Sequence, residues 1–92
     1  MPDLIEHTFD QAREIKWKAG RAIYGEHFVG DWLNEAFQEN VDGANYADHG
    51  LTVEPKSLHS LIQRLLALNE EAGALCQEIH AARERLYEGS RG

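Results

Sequence analysis

The stretch that decides the fold runs from Leu58 to Leu86, LHSLIQRLLALNEEAGALCQEIHAARERL. Within it Leu58, Leu61, Leu65, Leu68, Ala72, Leu75, Ile79, Ala82 and Leu86 recur at alternating spacings of three and four. Sustained over four heptads, that alternation draws an apolar seam along one side of a helix, and such a seam needs another helix to cover it. No proline interrupts it, and Gly73 falls beside the seam rather than on it. The pattern predicts a helix over about 55–87, roughly 45–50 Å long at about 1.5 Å per residue. Ile62, Leu66 and Ala67 widen its first half, which predicts more than one neighbouring helix there and a single one further on.

Working back from this helix, Thr52 to Pro55 forms a cap region with proline at a first helical position. Gly50 is the expected stop of a second helix over about 31–49, capped by Asp31 and striped by Leu33, Phe37, Val41 and Ala44. Gly43 inside it costs roughly 1 kcal/mol relative to Ala and predicts a kink or an early end near Asp42. A first helix is expected over about 3–24, capped by Asp3, with Ile5, Phe9, Ala12, Ala19 and Ile23 one or two turns apart and Gly25 as its stop. Residues 25–30 read as a short loop. The fold class is therefore all-α, a small three-helix single domain over 1–92 with a long C-terminal heptad helix.

A 92-residue chain buries only about 60–65% of the surface its unfolded form exposes, so association would help it. Helices 1 and 2 are each shorter than helix 3, and a homo-oligomer of at least two copies is expected, with Leu58, Leu61, Leu65, Leu68, Leu75, Ile79 and Leu86 at the interface. Glu78 and Arg83 suit a parallel pairing, whereas Arg64, Glu71, Glu78 and Arg85 also suit an antiparallel one. The direction stays open. The alternative is a seam folded back onto helices 1 and 2 of the same chain.

The net charge of −7 is concentrated in the middle of the chain. Residues 1–21 hold four acids and four bases, and residues 56–92 hold five of each. Residues 22–55 hold seven acids, Glu26, Asp31, Glu35, Glu39, Asp42, Asp48 and Glu54, and no Lys or Arg. Such a field repels phosphate backbones, which excludes direct nucleic-acid binding as the expected role, and it favours a divalent cation or a basic partner surface. No apolar run approaches the length of a membrane span. A lone Cys76 supports neither a disulfide framework nor a cysteine zinc site. Pro2-Asp3 does not read as a secretory signal, and a cytoplasmic location is expected.

Glu35, Glu39 and Asp42 are spaced i, i+4 and i+7, which places three carboxylates on one side of helix 2 with Tyr46 continuing the row. Clustered carboxylates supply the hard oxygens that magnesium prefers, and magnesium is the expected cofactor on this reading. The same row also reads as the solvated face of an amphipathic helix, nearly opposite Leu33, Phe37 and Ala44. On helix 1, Arg13, Trp17, Arg21 and Tyr24 form a second row. Guanidinium groups grip phosphates and aromatic rings stack on bases, although an interface or surface row has the same spacing.

The stretch Trp32-Leu33-Asn34-Glu35-Ala36-Phe37-Gln38-Glu39-Asn40-Val41-Asp42-Gly43-Ala44-Asn45-Tyr46-Ala47 resembles the Glu-x-x-Asp helix of MazG-like nucleotide pyrophosphohydrolases, as found in small phage-type proteins. The resemblance covers about a fifth of the chain. It implies an all-α oligomer, in the host cytoplasm if phage-encoded, that holds magnesium on acidic side chains and cleaves nucleoside triphosphates to monophosphates. Glu39 and Asp42 match the Glu-x-x-Asp pair, and Glu35 stands one turn earlier. The family's Glu-x-x-Glu pair has no full counterpart. Helix 1 offers Glu6, Asp10 and Glu14, and Glu70-Glu71 is followed by Ala74 where the second carboxylate belongs. The implied function is a pyrophosphohydrolase or a non-catalytic relative that sequesters a nucleotide or other phosphorylated small molecule, and no catalytic residue is assigned.

Other motifs are excluded by their neighbours. Gly20 to Gly25 and Gly25 to Gly30 have Walker-like spacing but lack the Lys-Ser/Thr that follows it, and the Asp42-Gly43 region lacks the acids of an EF-hand. The five histidines form no His-x-x-x-His pair. The competing function is a non-enzymatic oligomer whose acidic middle segment masks a basic surface on a host or regulatory partner.

Overall fold

The computed structural model describes residues 3–24 and 31–91, the side chains of residues 22–24 and 89–91 excepted. The described residues are all-α: α1 spans Phe9–Tyr24, α2 spans Trp32–Val53 and α3 spans His59–Arg91, with single 3-10 turns at Leu4–Glu6 and Lys56–Leu58. The chain forms two compact units, residues 1–30 and 31–92. The expected loop over 25–30 lies outside the described residues.

In the first unit the helix starts later than the Asp3 cap implies. Asp3 leads only into the 3-10 turn and makes no side-chain cap bond. The cap is Thr8, whose Oγ1 accepts from Gln11 N at 3.2 Å while Gln11 Oε1 accepts from Thr8 N at 3.0 Å. This reciprocal pair satisfies two N–H groups that the first turn otherwise leaves open. Ile5 therefore precedes α1 and stands exposed, as does Phe9 at its first turn.

The second unit is an antiparallel hairpin of α2 and α3. Asp31 caps α2 as expected, its Oδ1 accepting from Leu33 N at 3.1 Å. Contrary to the expected stop at Gly50, α2 continues to Val53. Gly50 supplies the carbonyl that Glu54 N donates to at 2.9 Å, and its missing side chain lets Ile62 of α3 come close. The corner is held by Leu58 N donating to Pro55 O at 3.0 Å and by a 2.9 Å contact between His59 Nε2 and Glu54 O. Pro55 thus caps a 3-10 turn, and α3 begins four residues later than the proline suggests.

The hairpin core is small. Its buried hydrophobic side chains are Leu33, Ala47 and Cys76, with Phe37, Ala44, Ile62 and Leu66 half-buried around them. Fully burying a Leu contributes about 1.5–3 kcal/mol, and Leu33 is the largest of the three buried side chains. Close approach substitutes for bulk elsewhere. A Cβ at Gly43 would fall on the Asn69 carboxamide, and one at Gly73 would lie 3.5 Å from the Phe37 ring. Gly43 accordingly produces no break in α2, which is one continuous helix there. The two interface asparagines are satisfied within their own helices, Asn40 Nδ2 donating to Ala36 O and Asn69 Nδ2 to Leu65 O, both at 3.0 Å. Asn40 Nδ2 also lies 3.7 Å from Cys76 Sγ.

The row of α3 that meets α2 is Ile62, Leu66, Asn69, Gly73 and Cys76, one position on from the leucine seam. One residue turns a helix by about 100°, so the seam points well away from α2. Leu58, Leu61, Leu65, Leu68, Leu75, Ile79 and Leu86 are all exposed, Leu68 at 61% and Leu86 at 74%. The fold-back of the seam onto α2 does not occur, because α2 occupies the neighbouring row. Among the described residues no helix is long and apolar enough to cross a membrane.

Candidate functional site

Glu35, Glu39 and Asp42 are exposed on the side of α2 turned away from α3. The core-facing positions Leu33, Asn40 and Ala47 recur every seven residues, and the acids fall about 130° round the helix from them. Tyr46 follows on the same strip and is 77% exposed. Extending the strip backwards by the same three-residue step reaches Trp32, 56% exposed, which the sequence analysis did not single out. The signal was present as the 3-4-3-4 spacing of Trp32, Glu35, Glu39, Asp42 and Tyr46. The row was followed forward to Tyr46 and not back to Trp32.

The strip is about 21 Å long at roughly 1.5 Å per residue, with an aromatic ring at each end and three carboxylates between. Nothing on α2 neutralises them, since Trp32–Val53 contains no Lys or Arg. Arg83 of α3 reaches the start of α2, but its partner is the capping residue Asp31, at 3.6 Å, and not the strip.

The expected magnesium ligands share a face without closing around a point. Among the described residues no three or more His, Cys, Asp or Glu side chains gather into a group able to hold a metal. The carboxylates of Glu35, Glu39 and Asp42 succeed one another along the helix, so within one copy they do not form a chelating set. Glu70 and Glu71 lie on α3.

The second row belongs to the first unit. Arg13, Trp17 and Arg21 lie on the exposed surface of α1, Trp17 at 59%, while the Tyr24 side chain lies outside the described residues. A neighbouring pair on the same helix, Lys18 Nζ to Glu14 Oε1 at 3.1 Å, is an exposed i,i+4 contact of small energetic weight.

Two shallow grooves run between α2 and α3. The larger, about 300 Å³, is lined by Phe37, Val41, Asn69, Gly73 and Gln77 among others, and the smaller, about 180 Å³, by Leu33, Cys76 and His80. Neither is lined by any of the residues singled out for ligand or metal. Both are consequences of small residues at the helix crossing, and the strip is a ridge rather than a cleft. The Cys76 thiol is buried between the two helices.

No family model, curated protein or solved structure matches the chain.

Proposed function

We propose that this protein is a helical interaction module that uses the outer strip of α2 to bind a basic segment of a partner protein. The observation that carries this reading is the strip itself: Glu35, Glu39 and Asp42 exposed in one line between Trp32 and Tyr46, with no base on the helix. Carboxylates fixed in a row attract Lys and Arg side chains and set the register of a cationic partner. Exposed Trp and Tyr faces at the ends accept the same cations through their π systems and supply the aromatic anchors that dominate many interfaces. A ridge of this kind suits an elongated ligand better than a small molecule, which is held in a concave pocket.

The test is a calorimetric titration with a lysine- and arginine-rich peptide across a salt series. Binding that weakens with salt, and that falls at least about tenfold when Glu35→Gln, Glu39→Gln and Asp42→Asn are combined, supports the reading. Affinity unchanged by those substitutions contradicts it.

The Glu39-x-x-Asp42 register favours a second reading, a MazG-like protein that binds nucleotides. Here Trp32 or Tyr46 would stack on a base, and the acids would require further ligands from outside this copy's α2. Heat released by a nucleoside triphosphate only in the presence of magnesium, and lost in the same triple variant, would select it over the first. Release of pyrophosphate would then separate an enzyme from a sequestering relative.

A further inference from the structure

The leucine seam of α3 is left over once α2 and α3 have packed. Leu61, Leu65, Leu68, Leu75, Ile79 and Leu86 are each between 41% and 74% exposed. From this face we infer that the protein self-associates, the α3 seams of two copies packing on one another to build a four-helix core from two α2–α3 hairpins.

Three observations identify a second copy as the occupant. The first is area. At roughly 100 Å² of exposed surface apiece, the seam side chains offer on the order of 600–700 Å² per copy, close to the about 800 Å² per partner of a stable interface. The second is angle. The seam and the α2-facing row are one residue apart in register, hence about 100° apart around α3, and a helix with two apolar faces near a right angle is what each corner of a four-helix bundle contains. The third is charge. The border of the seam away from α2 carries Arg64, Glu71, Glu78 and Arg85, two cations and two anions. The border is therefore neutral overall and gives no preference to a partner of one sign, which would meet repulsion at half of it, whereas a second copy brings a border that is equally neutral.

The small core points the same way. With Leu33, Ala47 and Cys76 as its buried hydrophobic side chains, the hairpin has less interior than a domain of this size ordinarily needs, and assembly supplies the rest.

Sedimentation velocity of the full chain over roughly 1 to 100 µM tests the inference, together with thermal melting at the same concentrations. The expected result is a mass of at least two chains at the upper end and a melting midpoint that rises with concentration. A chain that stays monomeric throughout, with a concentration-independent midpoint, overturns it. Leu65→Glu with Leu68→Glu should weaken association at least about tenfold, because both charges would be driven into the apolar interface. Ala67→Glu with Ala81→Glu, on an exposed row of the same helix away from both faces, should leave it unchanged. Equal loss from both pairs, or unchanged mass in the seam pair, places the association elsewhere and overturns the assignment to the seam.

Discussion

Gly43 and Gly50 sit one heptad apart on the same face of α2, and the same substitution should act on them in opposite directions. At Gly50 a methyl group would meet Ile62 at 3.6 Å, ordinary van der Waals contact. Gly50→Ala should therefore gain about 0.5–1 kcal/mol from reduced backbone freedom in the unfolded chain and better helix propensity. At Gly43 the methyl group would displace the Asn69 carboxamide, which is held by its bond to Leu65 O. Gly43→Ala should lose about 1 kcal/mol net, and the loss should vanish when Asn69→Ala is added. Urea unfolding of the four proteins at one fixed concentration checks this, and a stabilising Gly43→Ala would refute the packing described for Asn69. From the sequence Gly43 read as a weak point and Gly50 as a stop, because propensity sees only the helix that carries a residue. The reason for each glycine lies on the opposite helix.

At the scale of elements, the all-α class and the existence of α2 and α3 were readable from spacing, and the Asp31 cap lay where its chemistry placed it. What spacing did not reveal was which row of α3 meets α2. The seam announces itself through leucine, whereas the packed row includes Asn69, Gly73 and Cys76, which carry little apolar signal and act by letting the backbones approach. Hydrophobic periodicity thus located the face that α2 leaves uncovered, and the contact with α2 went by small residues. The start of α1 was missed for a related reason. Asp3 is a good capping residue by type, but the reciprocal Thr8–Gln11 pair engages both ends of the first turn. Replacing Thr8→Ala should cost about 1 kcal/mol of α1 helicity, seen as a loss of circular-dichroism signal at 222 nm, while Asp3→Ala should leave it unchanged. The reverse outcome would move the helix start back to Asp3.

For the whole molecule, the two long helices divide the work. α3 spends one face on α2 and leaves its leucine seam exposed, while α2 spends one face on α3 and presents its acidic strip outward. The acids were visible in the sequence as a row, but their direction was not, since a shared face is fixed by spacing and its surroundings by packing. If recognition and assembly belong to different helices, each should be removable alone. Sedimentation velocity followed by absorbance on the protein and by fluorescence on a labelled lysine- and arginine-rich peptide measures both at once for the wild type, the Glu35→Gln/Glu39→Gln/Asp42→Asn protein and the Leu65→Glu/Leu68→Glu protein. The division of labour predicts that the peptide travels with the wild-type oligomer, sediments alone beside a still-assembled strip variant, and travels with a smaller seam variant. A peptide that still travels with the strip variant, or a strip variant that falls apart, would contradict it.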